Sequence, residues 1–446
     1  MILFLLLLLL AFPAEAATTL LPPGKMCLDD ANGNPLVGGT VNFYVPSTTT
    51  PKTTWKDANQ ITANTNPVVL DSAGCAVIYG EGVYRQIVKD SLGNLVWDQL
   101  TADTGGGLGP GGVSAFLNPG GRLTLASGQP ILTGLGQVAK SVIYYTPYNG
   151  NNIEVFNGSV LIPYTFAEIS LTLDSNAGHV QYHQPNKNFD VYIIADTTVA
   201  PATLRVCTGP AWVADTQTGA VPDPRGPAAA ISYTSYGYLA NVNTITCRYG
   251  NGVNDLISIA PWRGTYVGTI RTIGVAAQVT MTMNPAPASG GAAPILFVFN
   301  EYNRVLIQAN NQDNGAPYTY AVATPRIARA DNDNQIQYVS GDISDAVLIT
   351  YSQSMQTGPV LGTQGLFCIG VDLIGCTDNV HASINTVAAQ TQLAVLQTTY
   401  LFASALGLHQ IFAIEAVAAG TVTYDLDSDP GAGVAGIATL MTMLRM

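Results

Sequence analysis

Charged residues are scarce in this sequence. Asp, Glu, Lys and Arg make up 10% of its 446 residues, against about 25% in ordinary soluble domains. Lys and Arg together number 17, are spread thinly, and leave a net charge of −12. Binding DNA or RNA needs clustered cations to neutralise phosphates, so nucleic acid is excluded as a partner. Catalytic signatures are missing as well: there is no G-x-S-x-G, no Walker A and no ordered Ser/His/Asp set. Glutamates beyond residue 16 are limited to Glu81, Glu154, Glu168, Glu301 and Glu415, and most aspartates sit in turn contexts. Glycoside hydrolysis needs two carboxylates across a cleft, and no such pair stands out. No catalytic residue, cofactor or enzyme activity is expected. No fixed-period repeat is visible, which argues against a β-helix, propeller or solenoid.

With charge so low, the surface must be covered by Thr, Ser, Asn, Gln and the 45 glycines. This is the composition of extracellular and virion β-proteins. The chain is too long for one ordinary domain. Residues 2–12 are uniformly apolar, too short to span a bilayer but suited to a secretory h-region. Ala14 and Ala16 supply an A-x-A cleavage site, so residues 1–16 read as a signal peptide although no Lys or Arg precedes them. No other stretch is long and apolar enough to cross a membrane. All six cysteines lie beyond that site, and an even count in an exported chain suggests disulfides. Local pairing predicts Cys27 with Cys75, Cys207 with Cys247, and Cys368 with Cys376. Sequence alone allows other connectivities, and small buried hydrophobes are the bland alternative.

Residues 24–102 are the most informative stretch. Short β-type runs are punctuated by Asp30-Ala31-Asn32-Gly33-Asn34-Pro35, Val37-Gly38-Gly39, Asp71-Ser72-Ala73-Gly74 and Asp90-Ser91-Leu92-Gly93-Asn94. Asp and Asn bond their own backbone in such turns, and Gly reaches positive φ without a steric penalty. The order is strand, turn, aromatic strand, Thr-rich arm, then two closing strands. It resembles the small particle-binding β-domain at the N-terminus of tailed-phage tail fibres and tailspikes. Further on, GGRLTL, IYYTPYNGN, GPAW and RGTYVGT resemble a module of phage and prophage tail proteins. The resemblance implies an adhesive structural protein: an N-terminal anchor to other tail or baseplate proteins, a C-terminal domain binding a cell-surface receptor, typically a glycan, and a homotrimer. The location would be a virion tail, or, given the signal peptide, an exported bacterial adhesin that recruited a phage module.

The expected fold is all-β and multidomain. A small β-sandwich or barrel (17–104) is followed by a Gly-rich linker (105–118), a middle β-domain (119–271) and a jelly-roll-like C-terminal β-sandwich (272–446). The linker contains G-x-G-x-x-G at Gly107, Gly109 and Gly112, but Pro110 and the neighbouring glycines forbid the strand–turn–helix setting that a dinucleotide site requires. Residues 383–405 read as mostly strand, and the apolar tail 437–446 suits burial at a three-fold axis.

Metal chemistry has weak candidates only. His179 and His183 are spaced for one helix face, but Gly178 and Pro185 point to a loop. Asp425-Leu426-Asp427-Ser428-Asp429 starts like a calcium loop but has Pro430 and Gly436 where Gly and Glu belong, and Asp331-Asn332-Asp333-Asn334 is weaker. No metal site is assigned. Recognition has better support: Tyr233, Tyr236 and Tyr238, with Trp212, lie among Asn, Ser, Gly and Thr, a mixture suited to contact loops. Core aromatics of an all-β fold are the competing reading.

Overall fold

The computed structural model describes residues 19–30, 33–46, 48–57, 60–80, 82–101, 118–132, 136–343, 345–424 and 438–446. The expected signal peptide (1–16), nearly all of the linker (105–118) and the Asp425–Asp429 motif lie outside them. The chain is all-β and divides into two compact units, residues 1–114 and 115–446.

In the first unit, a four-stranded antiparallel sheet is built from Val68–Val69, Thr40–Tyr44, Arg85–Lys89 and Leu95–Leu100, in that order. A second, two-stranded sheet joins Thr19–Cys27 to Cys75–Gly80. Period-two alternation sends Val41, Phe43 and Val88 inward against Ile78 and Tyr84, with Phe43 and Tyr84 meeting edge to face. Three aspartates make the turns that their sequence contexts suggested. The Asp30 carboxylate accepts from Asn34 N, Asp71 from Ala73 N and Cys75 N, and Asp90 from Leu92 N and Asn94 N, all within 2.8–2.9 Å. Gly74 is required on two counts: its φ is +70°, and a Cβ would lie 2.8 Å from both Leu28 O and Leu36 N.

The second unit contains an eight-stranded sheet around Asn188–Asp196 and Thr265–Arg271, another eight-stranded sheet around Gly407–Ala419, and a six-stranded sheet around Ala346–Thr357. The last two face each other across a core in which Tyr351 and Phe367 pack edge to face. Pairing is antiparallel almost throughout, with one parallel ladder, Ile295–Leu296 beside Gln335–Ser340. Residues 383–405 are mostly strand, His381–Asn385 and Gln392–Ala403.

Two expectations change. Residues 119–271 and 272–446 are not separate domains, because their strands interleave. Gln137–Lys140 pairs with Val279–Thr282, Val298–Asn300 pairs with Thr265–Arg271, and one core runs from Leu123 to Met446. A buried ion pair adds to the join: Arg225 Nε donates to Asp190 at 2.8 Å, and Arg225 Nη2 donates to the Gly341 carbonyl at 2.6 Å. Likewise the apolar tail does not wait for a three-fold axis. Ala438–Arg445 is hydrogen-bonded on both edges within its own chain, to Leu306–Asp313 and Ala346–Thr357. Ile437 itself lies outside the described residues.

All six cysteines are paired as three disulfides: Cys27–Cys75, Cys207–Cys247 and Cys368–Cys376. Cys207 and Cys247 are fully buried among Tyr192, Ile194, Ile245 and Tyr266, closing a sequence separation of 40. Replacing both by Ala removes that constraint on the unfolded chain and is expected to lower stability by roughly 2–4 kcal/mol, read as a lower urea midpoint.

Candidate functional site

Among the aromatic residues singled out in the sequence, the structure unites three and removes one. Strands Ile231–Tyr233 and Leu239–Asn241 form a hairpin whose turn is closed by Gly237 N donating to Thr234 O and Thr234 N donating to Tyr238 O. Gly237 has φ +87° with open space around it, so conformation and not crowding selects glycine there. The turn throws Tyr233 outward, 64% exposed, leaves Tyr236 half-buried, and folds Tyr238 beneath them, fully buried. Together with Phe156 and Trp262, these three rings line a cavity of about 340 Å³ whose polar lining is Thr234 and Ser235. Phe156 and Tyr236 lie 5.8 Å apart at an interplanar angle of 42°.

Trp212 belongs elsewhere. It is 2% exposed and stacks under the Arg225 guanidinium at 4.5 Å, beside the Asp190 ion pair. A buried charge needs contacts on every side, and Trp212 covers one face of the guanidinium, so it cannot meet a receptor.

Sequence reading missed Trp262 and the residue that holds it. Pro261-Trp262-Arg263-Gly264 is a turn between strands Leu256–Ile259 and Thr265–Arg271. A tryptophan with no strand pattern around it was the available signal. Fully buried Asn241 clamps this turn. Its Nδ2 donates to Ala260 O at 2.9 Å, its Oδ1 accepts from Gly264 N at 2.8 Å, and its backbone O accepts from Trp262 N at 2.7 Å. Tyr238 adds a hydroxyl bond to Trp262 O at 3.0 Å. Trp262 is thereby held at φ +68°, a left-handed conformation that costs a bulky residue about 1–2 kcal/mol. Strain that is held in place by surrounding bonds is characteristic of functional sites.

No acid or base lines the cavity, but carboxylates stand behind it. Burial, followed by the charges of Glu301 and Asp342, raises the Tyr233 hydroxyl pKa. Burial, followed by the repulsion of Asp342, pushes Glu301 up to about 7. Uncharged aromatic walls with a few hydroxyls can stack and hydrogen-bond a ring-shaped polar molecule, and they offer no general acid or base for chemistry.

The weaker candidates resolve differently. Fully buried His183 accepts from Asp174 N at Nδ1 (2.8 Å) and meets Thr208 Oγ1 at Nε2 (2.9 Å), so both ring nitrogens are engaged within the protein. His179 Nδ1 instead lies 2.9 Å from Asp174 Oδ2, which also pairs with Arg248 at 3.0 Å. In the Asp331–Asn334 run, Asp331 Oδ1 accepts from Asp333 N, and Asn334 Nδ2 donates to Ala328 O. Among the described residues, no group of His, Cys, Asp or Glu is arranged to hold a metal ion, and no helix is long and apolar enough to cross a membrane.

No protein family and no curated protein sequence matches this chain. Among solved structures, a variant of the Cry1Da tryptic core from Bacillus thuringiensis is 9% identical. It covers 69% of this chain and 48% of its own, with a TM-score of 0.14; the match thus spans about half that protein's length. The infectious bursal disease virus structure of the Gx strain is 10% identical, covers 70% of this chain and 78% of its own, and has a TM-score of 0.16. The VP2 subviral particle of that virus is 9% identical, covering 94% and 76%, with a TM-score of 0.13. Superpositions this poor carry no argument about topology or function.

Burial, followed by the nearby Arg248 charge, lowers the His183 pKa from 6.5 to about 4. Between those values the unfolded chain binds a proton that the folded chain refuses. The contribution is complete above pH 6.5 and is lost as pH falls through 4, on the order of 3 kcal/mol in all. The difference in urea midpoint between wild type and His183→Asn is expected to shrink across that window. A difference that stays flat with pH would contradict the assignment.

Proposed function

We propose that this chain is an adhesive structural protein of the tail-fibre kind, attaching through its first unit and binding a cell-surface glycan through its second. The observation that carries the reading is the five-aromatic cavity on the Ile231–Asn241 hairpin, held open by the Asn241 clamp. Its volume falls at the lower end of small-ligand sites, about 300–1,000 Å³, which suits one or two sugar rings. Tyr and Trp supply rigid contact area at low entropic cost. The Asp–Asn–Gly turns of residues 24–102 support the anchoring role, because they build the compact β-unit that the tail-fibre resemblance implies. The partners for that anchor would be tail or baseplate proteins.

An exported bacterial adhesin is the second reading, favoured by three disulfides in a chain whose cysteines are all paired. Disulfides persist in oxidising compartments, whereas virion proteins that assemble before lysis fold in a reducing one. Antibody labelling of purified virions against cell envelopes separates the two.

Assembly into a trimer has support from a strand edge. Gln392–Ala403 pairs only with Ala346–Thr357 among the described residues, leaving a twelve-residue edge open. Its outward residues include Leu393, Val395 and Leu401, each at least 50% exposed, and the strand carries no charge. Long uncharged edges invite pairing with another chain. The expected mass in solution is three times that of one chain, and Val395→Lys with Leu401→Glu should release monomers. Mass photometry of the wild type reading a single chain would refute the trimer.

For the binding role, Trp262→Gly tolerates the left-handed backbone, so the urea midpoint should stay close to wild type. Binding to glycan arrays or host cells should fall roughly 10-fold or more, with Tyr236→Ala behaving likewise. Undiminished binding by both variants would remove the cavity from the reading.

A further inference from the structure

Phe156 is shared between two cavities. On one side lies the aromatic cavity just described. On the other is a cavity of about 210 Å³ lined by Tyr164, Thr198, Ser258 and Arg263, among others. Arg263 follows Trp262 on the same clamped turn, so one short segment furnishes both sides.

Arg263 differs from nine of the other ten arginines of the chain; Arg445, also exposed and without an ion pair among the described residues, lines a cavity that already holds Asp342 and Asp345. Eight of them, Arg85, Arg205, Arg225, Arg248, Arg271, Arg304, Arg326 and Arg329, are paired with carboxylates. Arg122 donates to the carbonyls of Pro130, Asn303 and Met446. Arg263 is exposed and has no ion pair among the described residues. Its guanidinium lies over the Cα of Gly158, where a Cβ would come within 2.3 Å of Nη2. In a chain with net charge −12, a cation set against a cavity without a counter-charge is an unfilled anion position. Neither cavity is lined by Asp, Glu or Lys. A carboxylate does stand behind the Arg263 cavity: Asp196 accepts from Thr198 N and Oγ1, but it is almost fully buried and already paired with Arg205 at 2.6 Å.

We infer that the two cavities are adjoining subsites for an acidic saccharide, resting on the glycan-binding reading above. A pyranose stacks among Phe156, Tyr236 and Trp262, and an oxyanion borne by the neighbouring sugar pairs with Arg263. The planar guanidinium fork matches a carboxylate or a phosphate in two-point geometry. The Ser258 hydroxyl can serve the remaining polar groups, whereas the Thr198 hydroxyl already donates to Asp196 at 2.5 Å.

The test is binding of the full-length protein, by calorimetry, to three oligosaccharides of equal length: one containing a hexuronate, its carboxyl-reduced counterpart, and a phosphorylated sugar. Wild type should prefer an anionic form over the reduced form by about 10-fold, with the preference falling as salt rises. Preference for the hexuronate identifies a carboxylate as the anion, and preference for the phosphosugar identifies a phosphate. Arg263→Gln should erase the preference, leave binding of the neutral form unchanged and keep the wild-type urea midpoint. Arg263→Lys should restore part of it. Equal affinity of wild type for all three, or an intact preference in Arg263→Gln, overturns the acidic-saccharide assignment while leaving a neutral-glycan site standing. Binding of none of them, with host-cell adhesion insensitive to Trp262→Gly, overturns the glycan reading itself.

Discussion

The strand Ala438–Arg445 is hydrogen-bonded on one edge to Leu306–Asp313 and on the other to Ala346–Thr357. Ala438, Leu440, Thr442 and Leu444 face inward from it, and Met446 is buried beyond its end. Without long helices among its described residues to satisfy the backbone locally, this chain relies on strand pairing, and several strands, this one included, find partners far away in sequence. In the six-stranded sheet of the second unit, Leu306–Asp313 is joined to Ala346–Thr357 through this strand. Arg122, at the start of the unit, donates to the carbonyl of Met446 at its end. Beginning and end are held together by a desolvated cation, and burial lowers the Arg122 pKa to about 10.

Low overall charge makes the remaining ionic contacts more consequential. The ion pairs of Arg225 with Asp190 and of Arg326 with Glu415 each include a side chain that is almost or wholly inaccessible to water. Removing one partner leaves an isolated buried charge, which is far more destabilising than the pair itself is stabilising. These contacts therefore fix which segments can meet: Trp212 and Tyr266 pack against the Arg225 guanidinium, and the Tyr318 hydroxyl donates to Glu415.

Strands and turns were legible because their physics is local. Alternation of apolar residues marked Thr40–Tyr44 and Asn188–Asp196. Asp–Asn–Gly runs marked the turns at Asp30, Asp71 and Asp90, which the side-chain carboxylates close. Cysteine pairing followed from nearness along the chain. The division at 271/272 was not legible, because strand interleaving is a long-range property and Gln137–Lys140 carries no sign that its partner is Val279–Thr282. Trp212 misled for a similar reason. Its Gly209-Pro210-Ala211 context reads as a loop, while its burial depends on Arg225, thirteen residues on. Of the candidate cavity, the hairpin tyrosines were visible. Phe156, Trp262 and Asn241 come from three separate strand ends or turns and converge only in the folded chain.

The Asn241 clamp separates the frame of the 260–264 turn from what the turn presents. Three of its hydrogen bonds go to main-chain atoms of that turn and none to a side chain there. Position 262 stays restricted by its left-handed backbone, but position 263 is not among the left-handed residues, and its side chain is exposed beside Gly158. Descendant sequences can therefore exchange the residue at 263 generation after generation without refolding the turn. Ligand preference becomes a trait that drifts by single substitutions on an unchanging mount.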